Sequence, residues 1–205
     1  MAEQDGFDPN LWKPRSVAET QAIYDDWAER YDADVIGAGY LTPVRVADAL
    51  ARAFPKFDAT ILDYGCGTGL SGQALQQAGY ANLHGTDINP RMLAEAEAKG
   101  VYDKLWASEP GAPQAVTPGD YAAITATGVI SLGAAPPDML ATLLDCLAPG
   151  GFLALSYNDA TLADETYQEA LAAATHGPAT LISEAYGPHL KAKEMGSSVY
   201  VLQRR

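Results

Sequence analysis

Cysteine is scarce in this chain. Cys66 and Cys146 are the two thiols in 205 residues. They form no C-x-x-C pair, and no metal-like cluster surrounds them, so neither a disulfide framework nor a metal site is expected. Histidine is nearly as sparse, with His84, His176 and His189. No apolar run reaches the 18 or so residues of a membrane helix. The opening Met1-Ala2-Glu3-Gln4-Asp5 lacks the basic and apolar stretches of a secretory leader, so a cytoplasmic location is expected. Positive charge is also short. Thirteen Lys and Arg face 26 Asp and Glu, a net charge of −13. Such a surface repels phosphate backbones and argues against a nucleic-acid partner. No internal repeat or low-complexity block appears. What remains, 48% hydrophobic over 205 residues, suits one domain with a sizeable core.

The strongest local signal runs from Ile61 to Gly72. Ile61-Leu62-Asp63-Tyr64 reads as a buried strand ending near an acid. Gly65-Cys66-Gly67-Thr68-Gly69 reads as a tight turn, and Leu70 onward as a helix. Glycine lets the backbone turn sharply and approach a ligand closely. The helix start offers free N–H groups to an anion, whether a phosphate or the carboxylate of a methionine moiety. Asp63 would repel a pyrophosphate and attract the ammonium of such a moiety. Cys66 lies where the turn needs a small residue.

A second signal follows. Leu83-His84-Gly85-Thr86-Asp87 reads as the next strand. Asn89 and Pro90 then open a helix that Gly100 closes. Asp87 stands 18 residues after Gly69, a spacing at which a carboxylate can accept ribose hydroxyls.

With the Pro149-Gly150-Gly151 turn before a strand, these segments resemble class I S-adenosylmethionine-dependent methyltransferases over about residues 20–205. Tyr24-Asp25-Asp26-Trp27-Ala28-Glu29-Arg30-Tyr31-Asp32 is similar to the Y-x-x-W-A-x-x-Y-D signature of small-molecule members. Tyr40-Leu41-Thr42-Pro43 and Gly85–Asn89 resemble the Williams–Beuren-region methyltransferase-like group. The resemblance implies an α/β, Rossmann-like, doubly wound seven-stranded sheet, mostly parallel with the last strand antiparallel. It also implies an N-terminal helical cover.

The chain itself predicts strands at about 60–64, 82–87, 103–107, 120–127, 151–157, 179–186 and 197–203. Helices are expected at about 69–78, 90–99, 137–147 and 162–175. Ser16-Val17-Ala18-Glu19 is a capping box opening a helix of about 15 residues that ends near Tyr31. Thr42 is expected to cap the next. Three prolines in 108–118 leave little room for a helix there. One domain over 1–205 is expected, with 1–55 as arm and helical lid and 56–205 as the cofactor-binding core. Gly37 and Gly39 would form the lid's joint.

The expected cofactor site, for S-adenosylmethionine with S-adenosylhomocysteine as product, comprises the loop Asp63, Gly65, Cys66, Gly67, Thr68 and Gly69. Asp87 is its ribose acceptor, and Ile88 and Met92 are apolar partners for adenine. By resemblance, Ser108 stands where many relatives carry an aspartate for the adenine amino group, followed here by Glu109. Thr127 lies on the edge that faces the methionine moiety in relatives. Tyr24, Trp27 and Tyr31 share one helix face; Tyr24 and Tyr31 are candidates for the cofactor or acceptor site, and Trp27 for packing. Tyr31, Tyr40, Tyr157 and His189 are the substrate-side candidates. Gly133-Ala134-Ala135-Pro136-Pro137 supplies no base. The expected reaction is methyl transfer to a small molecule, its accepting atom open. A non-catalytic cofactor-binding protein and a nicotinamide-dependent oxidoreductase remain alternatives.

Overall fold

The computed structural model describes residues 7–8, 11–112 and 116–205. Two helices lead, α1 (Val17–Gly37) and α2 (Thr42–Ala53). Then come β1 (Thr60–Tyr64), α3 (Leu70–Gln77), β2 (Asn82–Asp87), α4 (Pro90–Lys99), β3 (Lys104–Ala107) and β4 (Ala123–Ala126). The chain closes with α5 (Met139–Asp145), β5 (Phe152–Asn158), α6 (Asp159–Leu162), α7 (Glu165–His176), β6 (Ala179–Leu190) and β7 (Met195–Arg204). One sheet holds all seven strands in the order β3-β2-β1-β4-β5-β7-β6. Only β7 runs against its neighbours. The order reverses between β1 and β4, so a crevice opens beyond their carboxyl ends, where ligands bind in such sheets.

The sheet is buried on both faces because successive strand residues point oppositely. Ile61, Ala123, Ala154 and Val201 pack with Val46, Leu50 and Leu75 of α2 and α3. Leu62, Ile124, Leu153 and Leu202 pack with Leu140, Leu143 and Leu147 on the other side. Asn89 accepts the N–H groups of Arg91 and Met92 and starts α4 where its sequence predicts. The Ser16–Glu19 box opens α1 with both reciprocal bonds.

Four boundaries differ from expectation. Helix α1 continues past Tyr31 to Gly37, because Val35 is buried with Leu11, Trp27 and Leu190 and nothing earlier breaks the helix. Gly37 is therefore helical, and Gly39 alone of the expected joint has positive φ, at 73°. That joint is strapped rather than free: Leu41 N–H donates to the His189 carbonyl and Ala192 N–H to the Ala38 carbonyl. Thr42 is not a cap; it is the first residue of α2, with a fully buried hydroxyl. The helix expected at 162–175 begins later, as α7 at Glu165, and the short α6 precedes it, because Asn158 accepts Thr161 N–H and Asp164 accepts Thr166 N–H. Each side chain satisfies a new helix start. Strand β6 extends to Leu190, carrying Pro188 on the outer edge of the sheet, where a missing N–H is tolerated. Among the described residues of 108–118 there is no helix, and no described helix is long and apolar enough to cross a membrane.

Candidate cofactor and acceptor site

A cavity of about 360 Å³ opens at the carboxyl edge of β1, β2 and β4. Its floor is the glycine loop. Gly65 and Cys66 donate their N–H groups to the Thr86 carbonyl, which folds the loop back over β2. Gly67 N–H donates to one oxygen of Asp87 at 2.9 Å, and Asn89 N–H to the other at 2.9 Å. Asp87 therefore joins loop, strand end and helix start. Burial raises its carboxyl pKa, and the backbone donors of Asn89, Gly67 and Ile88 oppose that rise. A carboxylate has about four acceptor positions, so acceptor capacity for a ligand hydroxyl remains.

The glycines differ in their surroundings. A Cβ on Gly65 would meet Val129 side-chain atoms at 1.8 Å, whereas one on Gly67 would meet nothing within 4 Å. Both line the cavity. Gly67 is thus open toward it, and its φ of 53° suits glycine.

Ile88 and Met92 line the same cavity, as do Thr127 and Ser108. The Ser108 hydroxyl is buried with no hydrogen-bond partner among the described residues. A buried hydroxyl is costly unless a partner occupies the space beside it. Tyr24, Tyr31 and Tyr40 complete the wall. Burial raises the pKa of all three phenols, so they stay neutral and offer ring faces that attract a cation.

Several expected site residues lie elsewhere. Asp63 is 1% exposed and absent from the cavity wall. Its oxygens accept hydroxyls from Ser71 at 2.5 Å, Tyr102 at 2.6 Å and Thr125 at 2.8 Å. It holds β1, α3, β4 and the approach to β3 together rather than pointing at a ligand's ammonium. Cys66, Thr68 and Gly69 form the underside of the loop, outside that wall. Burial pushes the Cys66 thiol up, and a Cβ on Gly69 would touch Ala96 and Tyr102. Tyr157, expected on the substrate side, is fully buried between Tyr167 and Tyr200. Its ring is core because the sheet continues over it. Glu109 pairs with Ala112 in a short bridge and is also absent from the wall.

His189 lines a second, adjoining cavity of about 50 Å³. Tyr24, Tyr31, Tyr40, Gly128 and Ala134 line both cavities. Trp27 lines only the smaller one and donates its indole N–H to Asp34. Sequence reasoning missed Gln21, Asn89 and Asn158 as wall residues. Gln21, three residues before Tyr24, was findable from helical spacing. Asn158 carried no local signal beyond its place at a strand end.

Helix α1 is held over the larger cavity by polar ties. Gln21 donates to the Ile88 carbonyl, and Asn89 donates to Asp25. Asp32 accepts the Thr68 hydroxyl at 2.5 Å and pairs with Lys99 at 2.7 Å. Lys99 also donates to the Thr68 carbonyl at 2.6 Å. The ion pair is partly exposed, so its contribution is at most about 1 kcal/mol. Asp32→Ala, which also removes the acceptor of the buried Thr68 hydroxyl, should lower the melting temperature by a few degrees and raise amide exchange within 17–37. Exchange that stays as slow as in the parent would show that the apolar stripe alone holds the helix down.

A family profile described as "Methyltransferase domain" matches residues 39–187. Human methyltransferase-like protein 27 is 35% identical over 160 residues, covering 77% of this chain and 64% of the human protein. The chain thus spans less than two-thirds of that relative's length. The fold is similar to the crystal structure of the [4+2]-cyclase SpnF, at TM-score 0.65, 15% identity and 94% and 98% coverage of the two chains. It is also similar to a TehB-like SAM-dependent methyltransferase from Corynebacterium glutamicum. That match has TM-score 0.60 and 19% identity, and covers 90% of this chain and 99% of that one.

Proposed function

The chain belongs to the class I S-adenosylmethionine-dependent methyltransferases, and on that premise we propose that it methylates a small-molecule acceptor held beneath α1. The observation that carries this reading is the pair of adjoining cavities, with three partly buried tyrosines on the wall between them. The larger has the volume, the glycine floor, the ribose-type acceptor Asp87 and the orphaned Ser108 hydroxyl that suit the cofactor. The smaller suits only a compact group. The net charge of −13 disfavours a nucleic-acid acceptor.

When bound, S-adenosylmethionine supplies an activated methyl group on a cationic sulfur. Gly65, Gly67, Asp87, Ile88, Met92, Ser108 and Thr127 are the residues proposed to hold it. Tyr24, Tyr31 and Tyr40 exclude water and face the cation with neutral rings. No base comes from Gly133–Pro137, and burial lowers the His189 pKa to about 4. The chain therefore acts mainly by orientation, which can supply much of the acceleration. The same proposal takes 1–205 as one functional unit, 1–55 covering 56–205. It also takes the buried free thiols Cys66 and Cys146 as suited to a reducing cytoplasm.

Calorimetry should show binding of S-adenosylmethionine and S-adenosylhomocysteine but not NADH. Methyl transfer to a small-molecule panel should then be detected by mass spectrometry. Tight cofactor binding with methyl incorporated only into protein or RNA would overturn the small-molecule acceptor. Binding with no transfer to any class would favour a regulatory role.

A further inference from the structure

The smaller cavity is lined by Tyr31, Tyr40, Ser131, Asn158, His189 and Leu190 among others. Two of these carry amphoteric side chains that can present either a lone pair or an N–H. In both, the surrounding bonds decide which.

Arg45 donates from Nη1 to the Ser197 hydroxyl at 2.8 Å. A guanidinium has no lone pair to offer, so Ser197 Oγ must accept there. Among the described residues that fully buried hydroxyl has one other bond, to Thr42 Oγ1 at 3.0 Å. The Ser197 proton therefore goes to Thr42. Thr42 must then send its own proton to His189 Nδ1, 2.8 Å away. The opposite order would leave the Ser197 proton buried without an acceptor. With Nδ1 accepting, the single proton of the neutral ring sits on Nε2, the nitrogen with no partner among the described residues.

Asn158 is fixed in the same way. Its Oδ1 accepts from Thr161 N–H at 3.0 Å and from the Thr161 hydroxyl at 2.9 Å. The backbone N–H can only donate, so the atom it meets is the amide oxygen. The Thr161 hydroxyl must donate to that oxygen as well, while its own oxygen accepts from Leu132 N–H at 3.2 Å. The Asn158 amide NH₂ is what remains for the cavity. Arg15, engaged with Thr20 Oγ1 and the Leu11 carbonyl, adds a guanidinium to the same wall.

The geometry points to a two-donor pocket: His189 Nε2–H and the Asn158 amide bind an oxygen of the methyl acceptor, a carboxylate or carbonyl. This rests on the proposed methyl transfer beneath α1 and narrows its substrate class. His189 is then a positioning donor and not a base. An ammonium or amine N–H set against these two groups would meet donors with no lone pair, so at that end of the cavity an oxygen head is favoured over a cationic one. A cavity of about 50 Å³ admits only a few non-hydrogen atoms, which a carboxylate or amide head satisfies.

Long-range proton–nitrogen NMR on nitrogen-15 histidine-labelled full chain, with S-adenosylhomocysteine bound, tests the assignment. The His189 signals are those missing from His189→Gln. The Nε2–H tautomer is expected at neutral pH; the Nδ1–H tautomer or an imidazolium overturns the proposal. Acetate and acetamide should perturb the Nε2 signal saturably, whereas ethylammonium should not. Equal binding of ethylammonium also overturns it. Asn158→Asp keeps the oxygen that caps α6 and replaces the donor with an acceptor. It should weaken acetate binding by about tenfold or more, the value of one charge-assisted hydrogen bond; unchanged binding counts against the pocket. These readouts need no turnover. If they hold while no small molecule is methylated, the proposed reaction fails and the donor pocket stands.

Discussion

Gly67→Val should abolish S-adenosylmethionine binding in a protein that still folds. Gly67 has φ 53°, a region where a side chain costs about 1–2 kcal/mol. Nothing lies within 4 Å of the position its Cβ would take, so the protein itself does not clash with the new side chain. The added methyl groups instead fill the space over the loop that the cofactor needs. A fall in melting temperature of about 2–8 °C is expected from the strain. Gly65→Val provides the contrast. Its Cβ would fall 1.8 Å from Val129, so that variant should lose folded protein, not merely affinity. Calorimetry together with thermal melts separates the two outcomes. A folded Gly67→Val protein with normal affinity would mean that the loop is only a turn between β1 and α3.

Asp87→Ala should weaken cofactor binding by about 10- to 150-fold, equivalent to about 1.5–3 kcal/mol for hydrogen bonds to a charged group. The carboxylate is the one acid among the described residues of the cavity wall and stands where ribose hydroxyls are expected. It also accepts the Gly67 and Asn89 N–H groups, so alanine removes two internal bonds as well. Some stability loss accompanies the affinity loss. Asp87→Asn retains one oxygen acceptor and should fall between parent and alanine in both measurements. Affinity unchanged in both variants would remove Asp87 from the ribose site.

The two predictions draw on different kinds of information. The glycine loop, the Asn89 cap and the Gly100 stop were legible because each works on backbone groups within a few residues. Helix α4 therefore begins and ends where its sequence says. The consecutive apolar residues Ile61 and Leu62 likewise read as a buried strand, as β1 is. The seven-stranded sheet, mostly parallel with its last strand antiparallel, followed from the family resemblance and is what the fold shows.

Polar partnership across the chain was not legible. Asp63 reads in sequence as an acid aimed at a ligand. In the fold its oxygens are taken by Ser71, Tyr102 and Thr125, from three separate segments. Tyr157 reads as a substrate-side phenol, but the packing of α7 and β7 encloses it. His189 gains its donor character from Thr42, Ser197 and Arg45, which lie up to about 150 residues away in the chain. Sequence by itself determined where the backbone turns, caps and alternates, because those preferences are set by near neighbours. Only tertiary structure decided which polar atoms meet each other and which are left facing a cavity. A buried hydrogen bond depends on the angstrom-scale meeting of segments whose separation the sequence does not state.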